Sequence, residues 1–384
     1  MTMTQTAAPR IQTPIYARQP VLKVIGLGGG GQNTVDRMIE LGLSGIDFIA
    51  ANTDAQVLQK SLAPVRIQLG PILTRGLGAG GDPTIGEAAA EESLDELSSA
   101  LNGADMVFLT AGMGGGTGTG AISVAAKVAK NTGAVVVAVV SLPFSFEVGH
   151  RQKNARDGMK KLQQFTDTMI SVPNDRLLQF APRDLPLELA FRLADDVLRQ
   201  GVQGISELIT QPGLINVDFS HIRAMMKNGG GSLLAIGTGE GENKTEEALE
   251  HALHHPMLET INIADAGGII ANFTGGKDLA FMEVMDSLAH LQKMARLDAT
   301  IVPGVVTDER MENRVELILV LTGIGATSVD SSENQNPEEK TESIDPVDQE
   351  VSINDLRSSG NSQVSMTGTP TNLDVPAFLR RRLN

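Results

Sequence analysis

The chain has 384 residues, a formal charge of −15, 41% hydrophobic residues, 41 Gly and no Cys. That length allows two domains and a tail, and the missing thiol removes disulfides and thiolate metal sites. The acidity argues against a nucleic-acid binder, which needs a basic face. No apolar run approaches the roughly 18 residues of a spanning helix, so a cytoplasmic protein without direct membrane insertion is expected.

Residues 1–20 are polar and read as a disordered extension rather than a secretory leader. From 21 to 180, short apolar runs alternate with helix-like stretches. The runs are Val21–Gly26, Ile46–Ala51, Val65–Leu69, Asp105–Leu109, Ala134–Ser141 and Thr168–Val172. This alternation predicts an α/β fold with a mostly parallel sheet, helices on both faces, and ligands beyond the C-terminal strand ends. Leu185 to about Thr210 reads as one long helix. Leu187, Phe191, Ala194, Leu198, Val202, Ile205 and Ile209 keep helical spacing, and Gln211-Pro212-Gly213 ends it. A second pattern fills 220–325, with a helix before Asn228, a strand at Ser232–Thr238, a helix at Lys244–His254 and a last strand at Val315–Thr322. Residues 327–370 carry nine acids against Lys340 and Arg357, a net −7, and read as a disordered linker. The segment Leu373–Arg382 regains apolar and basic residues; it suits either a docking peptide on a tether or a frayed terminus.

The most informative stretch is Gly112-Met113-Gly114-Gly115-Gly116-Thr117-Gly118-Thr119-Gly120, after a strand and before a helix expected from Ala121. Glycine permits close backbone approach, and a helix N-terminus offers unpaired N–H groups and the positive dipole end. The run reads as a phosphate cradle, without the Lys of a GxxxxGK[ST] loop. A first Gly cluster, Gly26 to Gly31, contains G-x-G-x-x-G, and Asp54 follows the second strand. Alone it also fits an NAD-type dinucleotide fold with Asp54 on a ribose. Two facing Gly loops suggest one long phosphate chain held from both sides.

Other pairs remain open. Glu147 and Arg151, four apart, suit a ribose and a phosphate, or form a surface ion pair. Phe191 and Asp195 suit a guanine, or are a core aromatic and a solvated acid. Asn216, Asp218 and His221 suit the orientation of a water, or Asp218 caps the next helix. His251, His254 and His255 have metal-capable spacing but read as a surface cluster, so no side-chain metal site is expected.

Taken in order, these motifs resemble the tubulin/FtsZ superfamily, and within it the FtsZ family. Gly112–Gly120 looks like its signature loop, and Gly213-Leu214-Ile215-Asn216-Val217-Asp218 like its synergy loop. Asn52–Gln56, Gly76–Gly80, Pro143–Glu147, Pro173–Asp175 and Ala194-Asp195 match further segments. The tail Asp374–Arg381 resembles the family's C-terminal peptide. The resemblance implies a GTP-binding domain (21–184), a long central helix (185–211), a smaller α+β domain (212–326), the linker (327–370) and a docking peptide (371–384).

It further implies GTP-dependent head-to-tail filaments in a cytokinetic ring. The chain would lie at the division site, near the inner face of the membrane. By motif, Gly29, Gly30, Gly31, Gln32, Asn33, Gly112, Gly114, Gly115, Gly116, Thr117, Gly118 and Thr119 hold phosphates, with Asn52, Ala79 and Gly80 in further nucleotide loops. Glu147 meets the ribose and Arg151 a phosphate, Phe191, Asp195 and Asn33 meet the guanine, and Asn174 lines the nucleoside side. Mg²⁺ sits on the phosphates of GTP or GDP, mostly water-coordinated. Asn216 and Asp218 face the next subunit's γ-phosphate. Asp374, Val375, Pro376, Phe378, Leu379, Arg380 and Arg381 bind a membrane-linked adaptor. Two positions depart from the pattern. His221 stands where a second acid is usual, which predicts slower or more pH-dependent hydrolysis. Glu147-Val148 replaces a Glu-Gly pair. The alternatives are a divergent relative that binds GTP and co-assembles with a homologue but hydrolyses weakly, and an NAD-dependent oxidoreductase.

Overall fold

The computed structural model describes residues 18–324 except 148, 180, 181, 183, 212–217, 228–230 and 256–261. The predicted linker and docking peptide, Asn216 and the 1–17 segment therefore lie outside the described residues.

The first half alternates strands and helices as the apolar runs predict. Strand β1 (Leu22–Leu27) leads into helix α1 (Gly28–Glu40), then β2 (Ile46–Asn52), α2 (Ala55–Gln59) and β3 (Val65–Gln68). Next come α3 (Pro83–Glu92), α4 (Leu94–Leu101), β4 (Met106–Gly112), α5 (Thr117–Asn131) and β5 (Val135–Leu142). Helix α6 (Arg151–Leu162), β6 (Thr168–Pro173) and α7 (Asn174–Leu177) precede the long α8 (Leu187–Thr210). The second half holds α9 (Phe219–Lys227), β7 (Gly231–Glu240), α10 (Lys244–Leu253), β8 (Gly268–Gly275), α11 (Phe281–Met294), β9 (Thr300–Thr307) and β10 (Arg314–Ile324).

One sheet runs through both halves, in the order β3-β2-β1-β4-β5-β6-β7-β10-β8-β9. The first six strands are parallel, and β10 is antiparallel to both β7 and β8. The join is short: β6 meets β7 only at Met169↔Gly231 and Ile170↔Ser232. Parallel strands buried on both faces need continuous apolar runs, and Val135–Val140 are all fully buried.

Helix α8 lies across the middle of this sheet, and its glycines set how closely. A Cβ on Gly201 would meet Leu234 Cδ2 at 3.1 Å and Val139 Cγ1 at 3.3 Å; one on Gly204 would meet Ile318 Cγ2 at 2.7 Å. The helix therefore touches β5, β7 and β10. A polar seam flanks this contact. Arg199 pairs with Asp196 at 2.8 Å, and Gln200 donates to Glu316 at 3.3 Å. Burial pushes the Glu207 and Glu316 carboxyls upward.

Four expectations shift. The helix after the second Gly run starts at Thr117, not Ala121, and the first Gly cluster is itself the opening turn of α1. Close packing outweighs glycine's poor helix propensity here. A Cβ on Gly120 would lie 2.1 Å from Pro83 O, and one on Gly31 2.2 Å from Thr110 O. The long helix begins at Leu187, and α10 ends at Leu253, before His254.

Candidate nucleotide site

The C-terminal ends of β1 and β4 each feed a helix, and the two helix starts meet. A Cβ on Gly28 would lie 2.8 Å from Gly118 N, and one on Gly30 3.2 Å from Gly112 N. Neither Leu27 nor Gly116 caps its helix with a side chain. The first-turn N–H groups of α1 and α5 therefore converge without a protein acceptor, an arrangement suited to an anion. Gly114 takes φ +98, and its N–H donates to Thr119 Oγ1 at 2.8 Å, which closes the loop. Thr117 Oγ1 lies 2.6 Å from Thr53 Oγ1.

These termini floor a cavity of about 320 Å³. Its lining includes Gly29, Gly30, Gly112, Gly115, Gly116, Thr117, Gly118, Glu147, Arg151, Asn174 and Phe191. A Cβ on Gly29 or Gly115 would meet nothing within 4 Å, so the backbone is bare there. Glu147 sits in the turn before α6 rather than on it; it accepts from Phe144 N at 2.9 Å and pairs with Arg151. Its side chain is 10% exposed and that of Arg151 55%, so the pair runs from the cavity wall to the solvent at its rim. Fully buried Phe144 stacks on Phe146 at 4.9 Å and edges Phe191 at 5.4 Å, which holds Phe191 at the mouth, 39% exposed. Asn174 Oδ1 is buried with no partner, an acceptor left for a ligand's donor.

One turn along α8 from Phe191 lies half-buried Asp195, which accepts from Thr34 Oγ1 at 3.2 Å. Burial pushes its carboxyl from 3.8 up to about 7; Asp196 adds to the rise, while Thr34, Arg192 and Arg37 oppose it. Gly31, Gln32, Asn33, Asn52, Ala79, Gly80, Gly114 and Thr119 are not part of the lining. Buried Gln32 donates to Val57 O at 2.9 Å and accepts from Asn52 at 3.4 Å. Ala79 Cβ backs Gly116. Sequence reasoning missed Leu27, Met113, Ser141 and Pro143, which also line the cavity; only their places beside the named motifs signalled them.

Asp54 does not face this cavity. Its Oδ1 caps α2, accepting from Gln56 N at 2.9 Å and Val57 N at 3.0 Å. The G-x-G-x-x-G match is likewise a packing device, since a Cβ on Gly26 would lie 2.2 Å from Gly31 O. Among the described residues no group of three His, Asp or Glu side chains is placed to hold a metal, and the rings of His251 and His254 turn to Thr238 O and Glu250 O.

Asp218 and His221 lie at the other end of α8. From Asp195 to Thr210 the helix rises roughly 22 Å, at about 1.5 Å per residue. Asp218 is exposed and accepts from Ser220 N at 2.9 Å, which holds its carboxyl below the usual range; His221 is exposed on the same first turn of α9. Asp218 lines a second cavity, about 440 Å³, with Arg18, Pro20, Ile209, Phe219, Ser220 and Arg223.

Sequence profiles agree with this layout. The GTPase domain of the tubulin/FtsZ family matches residues 21–182, and the C-terminal domain of the FtsZ family matches 230–325. An FtsZ dimer from M. jannaschii is 44% identical, with TM-score 0.78, over 80% of this chain and 90% of that one. CetZ2 from Haloferax volcanii, solved as a GTPγS-bound protofilament, shares the fold at TM-score 0.67 and 21% identity, over 80% of this chain and 94% of that one. CetZ1 from the same organism, a GDP-bound monomer, also has TM-score 0.67, at 22% identity over 80% and 95%.

Proposed function

Because the chain belongs to the FtsZ family of tubulin-like GTPases, we propose that it is a filament subunit whose GTPase site is completed by the next molecule in the filament. One observation carries this reading. The anion-binding cavity opens at one end of α8, and exposed Asp218 stands beyond the other end. No single molecule spans that gap, and a head-to-tail contact does.

In this reading the uncapped first turns of α1 and α5 grip the phosphates. Arg151 is turned by Glu147 toward the phosphate chain, and Glu147, whose oxygens already accept from Phe144 N and Arg151, has a remaining lone pair for a ribose hydroxyl. Phe191 covers the base, and Asp195 accepts from the guanine N–H groups. The lining offers Thr117 and backbone groups but no free carboxylate, which fits a Mg²⁺ carried in on the phosphates; when bound it neutralises charge there. Asp218 of the next molecule orients the attacking water, its depressed pKa keeping it a ready acceptor near neutrality.

GTP turnover against protein concentration tests the shared site. A threshold concentration, with turnover tracking sedimented polymer, is expected; strict proportionality down to dilute monomer refutes it. A weaker hydrolase is the second reading, supported by His221, exposed on the turn beside Asp218, where a fixed negative charge is absent. The finer assignments follow from family membership: a place in the division ring, and an adaptor held by Asp374–Arg381. Removing 373–384 should leave the threshold unchanged.

A further inference from the structure

The chain is −15 overall, yet helix α6 carries five basic residues against the single acid Asp157. Arg151 pairs with Glu147, and Lys161 with Glu87. Lys153, Arg156 and Lys160 remain. All three are exposed, and none has an ion pair or a hydrogen bond among the described residues. Steps of three and four put them in one row along the helix. The helix dipole does not account for the row. It favours a cation at Lys160, in the last turn, and disfavours one at Lys153, in the first.

Helix α10 carries the complementary row. Glu242, just before the helix, is followed at steps of four by Glu246 and Glu250. All three are exposed, and their carboxylates have no partner among the described residues. The rows are similar in length, about 10 Å from Lys153 to Lys160 and about 12 Å from Glu242 to Glu250 at helical rise. They also look the same way. Helix α6 buries Ala155 and Leu162 in the core that holds Val136, Ala138 and Val140, and α10 buries Ala248, Leu249 and Ala252 in the core that holds Leu317 and Leu319. Helix α8 instead approaches the alternate residues of those strands, Val139 and Ile318. Successive strand side chains point to opposite faces, so α6 and α10 share the sheet face turned away from α8. The nucleotide cavity and Asp218 lie toward the two ends of α8, and a head-to-tail contact leaves this face open.

We propose that this face joins one filament to another: the Lys153–Arg156–Lys160 row of α6 seats on the Glu242–Glu246–Glu250 row of α10 in a second copy of the chain. A two-fold axis lets both rows of both molecules pair at once. The proposal rests on the filament reading above and adds a contact that the reading does not need. Two copies of so acidic a chain repel each other in general, and a row of free cations is where they can meet. Each exposed ion pair is weak and screened by salt, but pairs repeated along a polymer act together. The contact therefore gathers filaments and leaves lone subunits apart.

The chain has no Cys, so single thiols report the contact. Arg156→Cys and Glu246→Cys chains, one carrying a size tag, are mixed with GTP and mildly oxidised. The mixed dimer should exceed either same-chain dimer about fivefold, and should fade as salt rises from about 0.05 to about 0.5 M, where the screening length falls to roughly 4 Å. A mixed dimer no more than twice as abundant as the others, the random yield, overturns the proposal. Low-speed sedimentation, which collects bundles, gives a second reading. Reversing the α6 row (Lys153→Glu, Arg156→Glu, Lys160→Glu) should cut the bundled fraction about tenfold and leave turnover per filament subunit unchanged. Reversing the α10 row (Glu242→Lys, Glu246→Lys, Glu250→Lys) should do the same, although it makes the chain less acidic and general repulsion predicts more bundling. The chain with all six changes should bundle like wild type. If the α6 reversal abolishes bundling and the α10 reversal does not, the cations hold some other anion and the proposal fails. High-speed sedimentation reads the filament itself: without filaments both readings fall, and filaments that form without the cross-link sink this one alone.

Discussion

The affinity for guanine nucleotide should rise with pH, because Asp195 must lose a proton to accept from the base. With its carboxyl at about 7 in the empty protein, roughly a tenth of molecules are ionised at pH 6 and about nine-tenths at pH 8. Binding that selects the carboxylate therefore tightens about tenfold across that interval, about 1.4 kcal/mol, and expels close to one proton at pH 6. The stability slope runs the other way. The folded, empty chain holds a proton that the unfolded chain has already released between pH ~4 and ~7. Asp195's stabilising share is thus fully present below the unfolded value and is lost as pH climbs to about 7, by at most about 4 kcal/mol. Fluorescent-nucleotide titrations at constant ionic strength, with calorimetry in buffers of different ionisation heat, read both effects. A terminal phosphate titrates nearby, with a second pKa of about 6, so Asp195→Asn is the control: its profile should keep only the phosphate's slope. Equal slopes in wild type and Asp195→Asn would refute the argument.

Replacing Asp54 by Ala should lower stability by about 1 kcal/mol, the value of an N-cap, leave GTP affinity intact, and create or remove no NAD binding; loss of a dinucleotide signal would revive the oxidoreductase reading. Gly120→Ala drives a methyl into backbone, 2.1 Å from Pro83 O and 2.5 Å from Glu87 N, so urea unfolding should show a loss of about 3 kcal/mol; wild-type stability would mean that α3 and α5 are not so closely packed. His221→Asp should raise GTP turnover; a rate unchanged or lower at every pH rejects a role for the missing acid.

What the sequence displayed and what it hid divide along physical lines. The parallel strands were visible because burial on both faces demands uninterrupted apolar runs, such as Val135–Val140. The phosphate end was visible because only bare backbone serves there. Strand β9 was hidden. It carries Pro303 and Gly304; as the edge strand it tolerates a missing N–H, and a Cβ at 304 would lie 1.8 Å from Leu208 Cδ2. Strand β8 was hidden by Asn272, a fully buried amide in its middle. The Asn272 amide has no hydrogen-bond partner among the described residues. Periodicity cannot report the glycine, which answers a neighbour distant in sequence. The same holds for Phe144, whose part in steadying Phe191 arises only when β5 and α8 are brought side by side.

The bare starts of α1 and α5 carry a consequence for the life of the protein. Four orphan N–H groups at each helix start want an acceptor, and the nucleotide supplies what the chain does not encode. Ligand at a hundredfold excess over its dissociation constant adds about 2.7 kcal/mol to folding, so guanine nucleotide is a missing piece of the fold as well as a fuel. Urea unfolding with and without GDP should show that difference as a shifted midpoint.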